Sequence, residues 1–70
     1  PEDLFIDADD LLYVADTENN RVLKMNRAGT VLEIIDSAAG AALNKPRGVY
    51  VHADGSRWIA DTGKLRIATL

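Results

Sequence analysis

The feature that most constrains this 70-residue chain is an internal repeat at an offset of 45, which runs without a gap to the last residue. Residues 1–25 lie on residues 46–70. Pro1, Ala8, Asp9, Ala15, Asp16, Thr17 and Arg21 are identical to Pro46, Ala53, Asp54, Ala60, Asp61, Thr62 and Arg66. Most other pairs keep their character: Leu4 with Val49, Phe5 with Tyr50, Ile6 with Val51, Tyr13 with Trp58, Val14 with Ile59, and Val22 with Ile67. A period of this length belongs to stacked supersecondary units, each of which buries its apolar face only against a neighbour.

The local pattern is that of strands. The runs "LFID", "LLYVA", "RVLKM" and "TVLEII" in the first copy, and "VYVH", "RWIA" and "LRIATL" in the second, are of strand length and rich in β-branched and aromatic residues. None has the three-and-four spacing of an amphipathic helix. Turn signals separate them: "ADD" and "ADG" at positions 8–10 and 53–55, and "NRAG" at 26–29, with glycine at the left-handed position. Several strands are apolar at consecutive positions, as happens when both faces of a sheet are covered. The expected fold is therefore all-β, built of antiparallel four-stranded β-propeller blades. It comprises one complete blade at about residues 3–35, a linker over 36–45, and three strands of a second blade over 46–70. The linker "DSAAGAALNKP" is expected as a surface loop, with one helical turn over Ala38 to Leu43 as the alternative.

Composition narrows the function classes. A domain of this size offsets its ordering entropy only narrowly, and without cysteine it has neither a disulfide nor a thiolate metal site. The formal charge of −3, from eleven acidic and eight basic residues, argues against a nucleic-acid footprint. Arg21, Lys24, Arg27, Lys45 and Arg47 would have to gather on one side to make a basic face. No stretch reaches the length of a membrane-spanning helix or has the pattern of a signal peptide. The chain reads as soluble, and the compartment, cytoplasmic or secreted, stays open. Two blades leave apolar faces uncovered, so further blades are expected as partners, from the same longer chain or from a homo-oligomer.

The phrase "YVADTENNR" returns as "WIADTGKLR". An aspartate leaving the second strand and an arginine entering the third face each other across a turn, where the carboxylate accepts the guanidinium fork and turn amides. The threonine can bond backbone at the same corner. Asp16, Thr17 and Arg21, with Asp61, Thr62 and Arg66, are thus read as a structural clamp repeated in each blade, since a catalytic site rarely recurs in every repeat.

On these residues, and on "P-x-x-(apolar)3-D-A-D-(x)3-YVADTENNRV" as a whole, the chain resembles the NHL repeat, a propeller blade type. Residues 46–70 are similar to it with some decay: His52 stands where the first copy has Asp7, and Gly63-Lys64-Leu65 replaces Glu18-Asn19-Asn20. The resemblance implies a central channel lined by the first strand of each blade. Its members include sensor domains, RNA-binding domains, secreted proteins, and related lyases and esterases that act at the channel mouth. One fold hosts all of these, so only the site decides.

The expected function is a non-enzymatic scaffold that binds a protein or a small molecule, with no catalytic residue and no cofactor. The alternative is a piece of a propeller enzyme, a metal-dependent lyase or hydrolase, to which His52 and Asp7 would contribute channel-mouth ligands for a divalent ion. Two ligands do not complete such a site. Asp7, Asp9 and Asp10 lack the spacing of a calcium loop, and Ser37 and Ser56 lie outside any nucleophile motif. Tyr13 and Trp58, being equivalent, are expected to fill the same layer between blades.

Overall fold

A computed structural model describes residues 3–38 and 40–70; Pro1, the repeat counterpart of Pro46, therefore lies outside the described residues. The first sheet holds β1 (Asp3–Ile6), β2 (Leu12–Asp16), β3 (Arg21–Met25) and β4 (Val31–Ile35), antiparallel and in sequence order. A small ladder, β5 (Ser37–Ala38) with β6 (Ala41–Ala42), follows. The third sheet holds β7 (Pro46–Val51), β8 (Arg57–Asp61) and β9 (Arg66–Thr69), also in sequence order. The all-β class is as the sequence implies, and the antiparallel sheets of four and three strands are consistent with partial propeller blades.

The linker corrects the expectation. It is neither an open loop nor a helical turn: Gly40, at φ +82°, lets the chain reverse between β5 and β6. Ala38 and Leu43 are buried in the core, and the Leu43 amide donates to the Asp36 carbonyl at 2.8 Å. Small side chains here serve close packing rather than exposure. A short 3-10 turn, also unforeseen, follows both β2 (Thr17–Asn19) and β8 (Thr62–Lys64).

Because side chains alternate across a strand, each sheet has two distinct faces. In the first sheet Tyr13, Ala15, Val22 and Ile35 point one way, and Leu4, Ile6, Val14, Leu23 and Ile34 the other. The Tyr13 face packs against the Val49, Val51, Ile59 and Ala68 face of the third sheet, and this seam is the core. Strand β7 runs beside β1 and β2 at the centre of the contact. Polar bonds stitch the seam: the Val49 amide donates to Asp3 Oδ2 at 3.1 Å, the Lys45 amide to Asn20 Oδ1 at 2.8 Å, and the Thr17 hydroxyl to the Pro46 carbonyl at 2.8 Å. Tyr13 is buried as expected of the layer between blades. Trp58, its equivalent, is not; it lies on the outward face of the third sheet.

Candidate functional site: the groove between the two sheets

At the end of the seam where the β1–β2 and β7–β8 turns lie, the sheets splay into a groove of about 620 Å³. Its floor and walls include Phe5, Tyr13, Lys24, Tyr50, His52 and Arg57. The two turns share backbone geometry: the Asp7 amide bonds the Leu11 carbonyl as the His52 amide bonds the Ser56 carbonyl. Their side chains differ in use. Asp7 Oδ1 accepts the amides of Asp9 and Leu11 at 2.8 and 3.0 Å, so the carboxylate caps its own turn. In the second turn Asp54 takes that duty, accepting the Ser56 amide and hydroxyl, which hold its carboxyl below the usual aspartate range.

With its turn capped by Asp54, His52 is released to stack. Its ring lies 4.7 Å from Tyr50 and 5.2 Å from Trp58, and Tyr50 meets Phe5 edge-on at 4.9 Å. The groove therefore has an aromatic wall of Phe5, Tyr50 and His52, which Trp58 adjoins from the outward face of the third sheet. Two cations line the same groove. The Lys24 ammonium sits 5.8 Å from the Tyr13 ring centroid, a cation–π distance. Arg57 makes a two-pronged bridge to Glu33 at 2.7 and 3.2 Å, joining the third sheet to the outer strand β4 of the first. That fork holds the Glu33 carboxyl below the usual glutamate range and raises Arg57, with a smaller contribution from Tyr13.

Asp7 and His52 line the same groove, yet among the described residues no group of three or more His, Cys, Asp or Glu side chains is placed to hold a metal ion. Sequence reasoning passed over Glu33 and Arg57. The available signal was register, since Arg57 occupies the repeat position of apolar Leu12, and a charge at an apolar position asks for a partner.

The repeated phrase sits at the opposite end of the sheets. Asp16 Oδ2 accepts Arg21 Nε at 2.9 Å and Asn19 Nδ2 at 3.0 Å, and the guanidinium holds its carboxyl below the usual range. Asp61 Oδ2 accepts Arg66 Nε at 2.7 Å, while Oδ1 accepts the Asn44 amide at 2.7 Å. Arg66 also donates to the Ala41 carbonyl. The second clamp thus binds β8, β9 and the linker together, and Asp61 is fully buried. The two threonines differ: the Thr62 hydroxyl bonds the Ala60 carbonyl at its own corner, loosely, at 3.4 Å, whereas Thr17 reaches across to the other sheet. The Gly63 substitution also gains a reason. A Cβ there would collide with the Asn44 side chain and lie 2.6 Å from its carbonyl oxygen.

No helix among the described residues is long and apolar enough to cross a membrane. No curated protein matched the chain. A family model, that of the NHL repeat, matches residues 1–25, the stretch that forms β1 to β3. Over those residues the chain is similar to the NHL repeat, and its antiparallel sheets of four and three strands are consistent with partial propeller blades.

Proposed function

We propose that this chain is a non-enzymatic propeller segment that acts as a binding scaffold, and that the groove between its sheets receives a protein or small-molecule partner. One observation carries the proposal. The acidic groups of the motif and the turns are committed to local partners, Asp7 to turn amides, Asp16 and Asp61 to arginines, and Glu33 to Arg57. What the groove presents is instead an aromatic wall together with Lys24. Such a surface suits recognition by stacking and cation contact more than proton transfer. Under this reading further blades complete the scaffold, and the clamps Asp16–Thr17–Arg21 and Asp61–Thr62–Arg66 fix its corners.

The enzyme alternative draws on Asp7 and His52 lining one groove. Two titrations separate the readings. Peptides selected from a displayed random library against the 70-residue chain should shift the amide resonances of Phe5, Tyr13 and His52 and lose affinity in His52→Ala. A saturable one-to-one heat with Zn²⁺ or Ca²⁺, abolished in both His52→Ala and Asp7→Ala, would overturn the scaffold reading in favour of a metal-dependent enzyme.

A further inference from the structure

Across the first sheet the strand registers align one row of side chains on the groove face: Phe5 pairs with Tyr13, Tyr13 with Lys24, and Lys24 with Glu33. Partners in register share a face, so the row runs from an aromatic end to a charged end. The equivalent row of the third sheet is Tyr50, Trp58 and Thr69, and it carries no charge. Lys24 is therefore not a demand of the repeat. Nor is Arg57, which stands where the first copy has Leu12, nor His52, which stands where it has Asp7. All three departures line the one groove.

The charges at the Lys24 end do not balance. Both oxygens of Glu33 are taken by the Arg57 fork, at 2.7 and 3.2 Å. Lys24 is half-buried, lies over the Tyr13 ring, and makes no ion pair among the described residues. Two cations thus share one carboxylate, and an ammonium drawn partly out of water is short of an anion. The other carboxylates that line the groove, Asp7 and Asp9, lie on the β1–β2 turn, beyond Phe5 and two strands away from Lys24. Asp7 is turned to the amides of its own turn.

At the other end Phe5, Tyr50 and His52 follow one another edge-on, with successive ring centroids 4.9 and 4.7 Å apart. Two strand spacings, about 10 Å, separate the Phe5 backbone from that of Lys24. We infer that the groove takes a small aromatic carboxylate, its ring against Phe5, Tyr50 and His52 and its carboxylate, on a short chain, at the Lys24 ammonium. The ring gains edge and face contacts with the wall, and the carboxylate accepts a charge-assisted hydrogen bond. A volume of about 620 Å³ lies within the range of small-molecule sites, about 300 to 1,000 Å³. This inference rests on the scaffold reading above and narrows its partner to a free aryl acid.

The test follows the amide resonances of the chain while 3-phenylpropionate is added. Saturable shifts are expected at Phe5, Lys24 and His52. Propionate, which lacks the ring, should not saturate, and 3-phenylpropanamide, which lacks the charge, should bind about tenfold more weakly, the factor a charge-assisted bond contributes at a half-buried site. Lys24→Met should lose the same factor for the acid and nothing for the amide. Lys64→Met, the same change of charge in the turn after β8 at the opposite end of the sheets, should leave both affinities as they were. No saturable shift with the acid, or equal affinity for acid and amide, would overturn the inference. So would tighter binding by an acetylated peptide ending in phenylalanine, which offers the same two groups from a chain terminus. Should Lys24→Met lose its sheet signal in circular dichroism, the acid–amide comparison on the unaltered chain still decides. Library peptides that bind the groove while the aryl acid does not would sink this inference and leave the scaffold reading standing, whereas the metal heat described above would sink that reading itself.

Discussion

Replacing Asp61 by alanine should cost about 3 kcal/mol of stability, while the same change at Asp16, in the same motif, should cost distinctly less. Asp61 has no exposed surface and binds two groups, Arg66 Nε at 2.7 Å and the Asn44 amide at 2.7 Å. Both bonds are to the Asp61 carboxylate, and a hydrogen bond to a charged group contributes about 1.5 to 3 kcal/mol. Arg66 keeps a quarter of its side chain in water and its bond to the Ala41 carbonyl, so the orphaned cation is partly resolvated, which holds the total near the lower sum, at the bottom of the roughly 3 to 5 kcal/mol of a fully buried broken pair. Asp16 joins only Arg21 and Asn19, both on its own hairpin, and Arg21 is more exposed than Arg66. For a 70-residue chain of roughly 4 to 10 kcal/mol total stability, the Asp61 loss is a large fraction. Urea unfolding followed by circular dichroism measures it, at one fixed protein concentration because assembly would add stability by mass action. An unchanged slope with a lower midpoint is expected. A change at Asp61 within about 0.5 kcal/mol, or equal losses at the two sites, would refute the claim that the linker contact gives the second clamp its weight.

Three further outcomes follow from the same geometry. Thr17→Val should destabilise by about 1 kcal/mol, because it strands the Pro46 carbonyl in a buried seam, while Thr62→Val should leave the urea midpoint nearly unchanged. Gly63→Ala should destabilise and should broaden or shift the Asn44 amide resonance, since the new methyl meets Asn44 backbone as well as side chain; an unperturbed spectrum would contradict that packing. Glu33 titrates below the usual glutamate value of about 4.3 because of the Arg57 fork, so its contribution is fully present above that pH and is lost as pH falls through the lower folded value. In acid titrations Glu33→Gln should flatten the loss of stability below about pH 4.3, and a carboxyl resonance titrating at or above the usual value would show the bridge does not form in solution.

Much of the fold is legible in the sequence because it is local. Strands and tight turns depend on residues within a few positions of each other, and a gap-free repeat doubles every such signal. The pairing of Asp16 with Arg21 and of Asp61 with Arg66 spans five residues across one hairpin and needs no knowledge of the rest of the chain. Even the exchange of Asp7 for His52 is accounted for locally, since Asp54 caps the second turn in its place. The linker was less legible: alanines and one glycine fit a loop, a helical turn or a small ladder, and the choice was made by Asp36, Leu43 and the sheets on either side.

What only the tertiary structure decided are the contacts between residues far apart in the chain. Repeat equivalence makes Thr17 and Thr62 alike, and Tyr13 and Trp58 alike, but one of each pair faces the seam and the other faces outward. The Arg57–Glu33 bridge and the Thr17 bond to Pro46 join segments brought together by the stacking of two sheets, and the crowding of Gly63 by Asn44 follows from the pairing of β7 with β8. A repeat specifies the unit and the two kinds of face it carries. Which faces are buried depends on which units are neighbours, and that is set by the stacking free energy of whole sheets, a sum no single stretch of sequence contains.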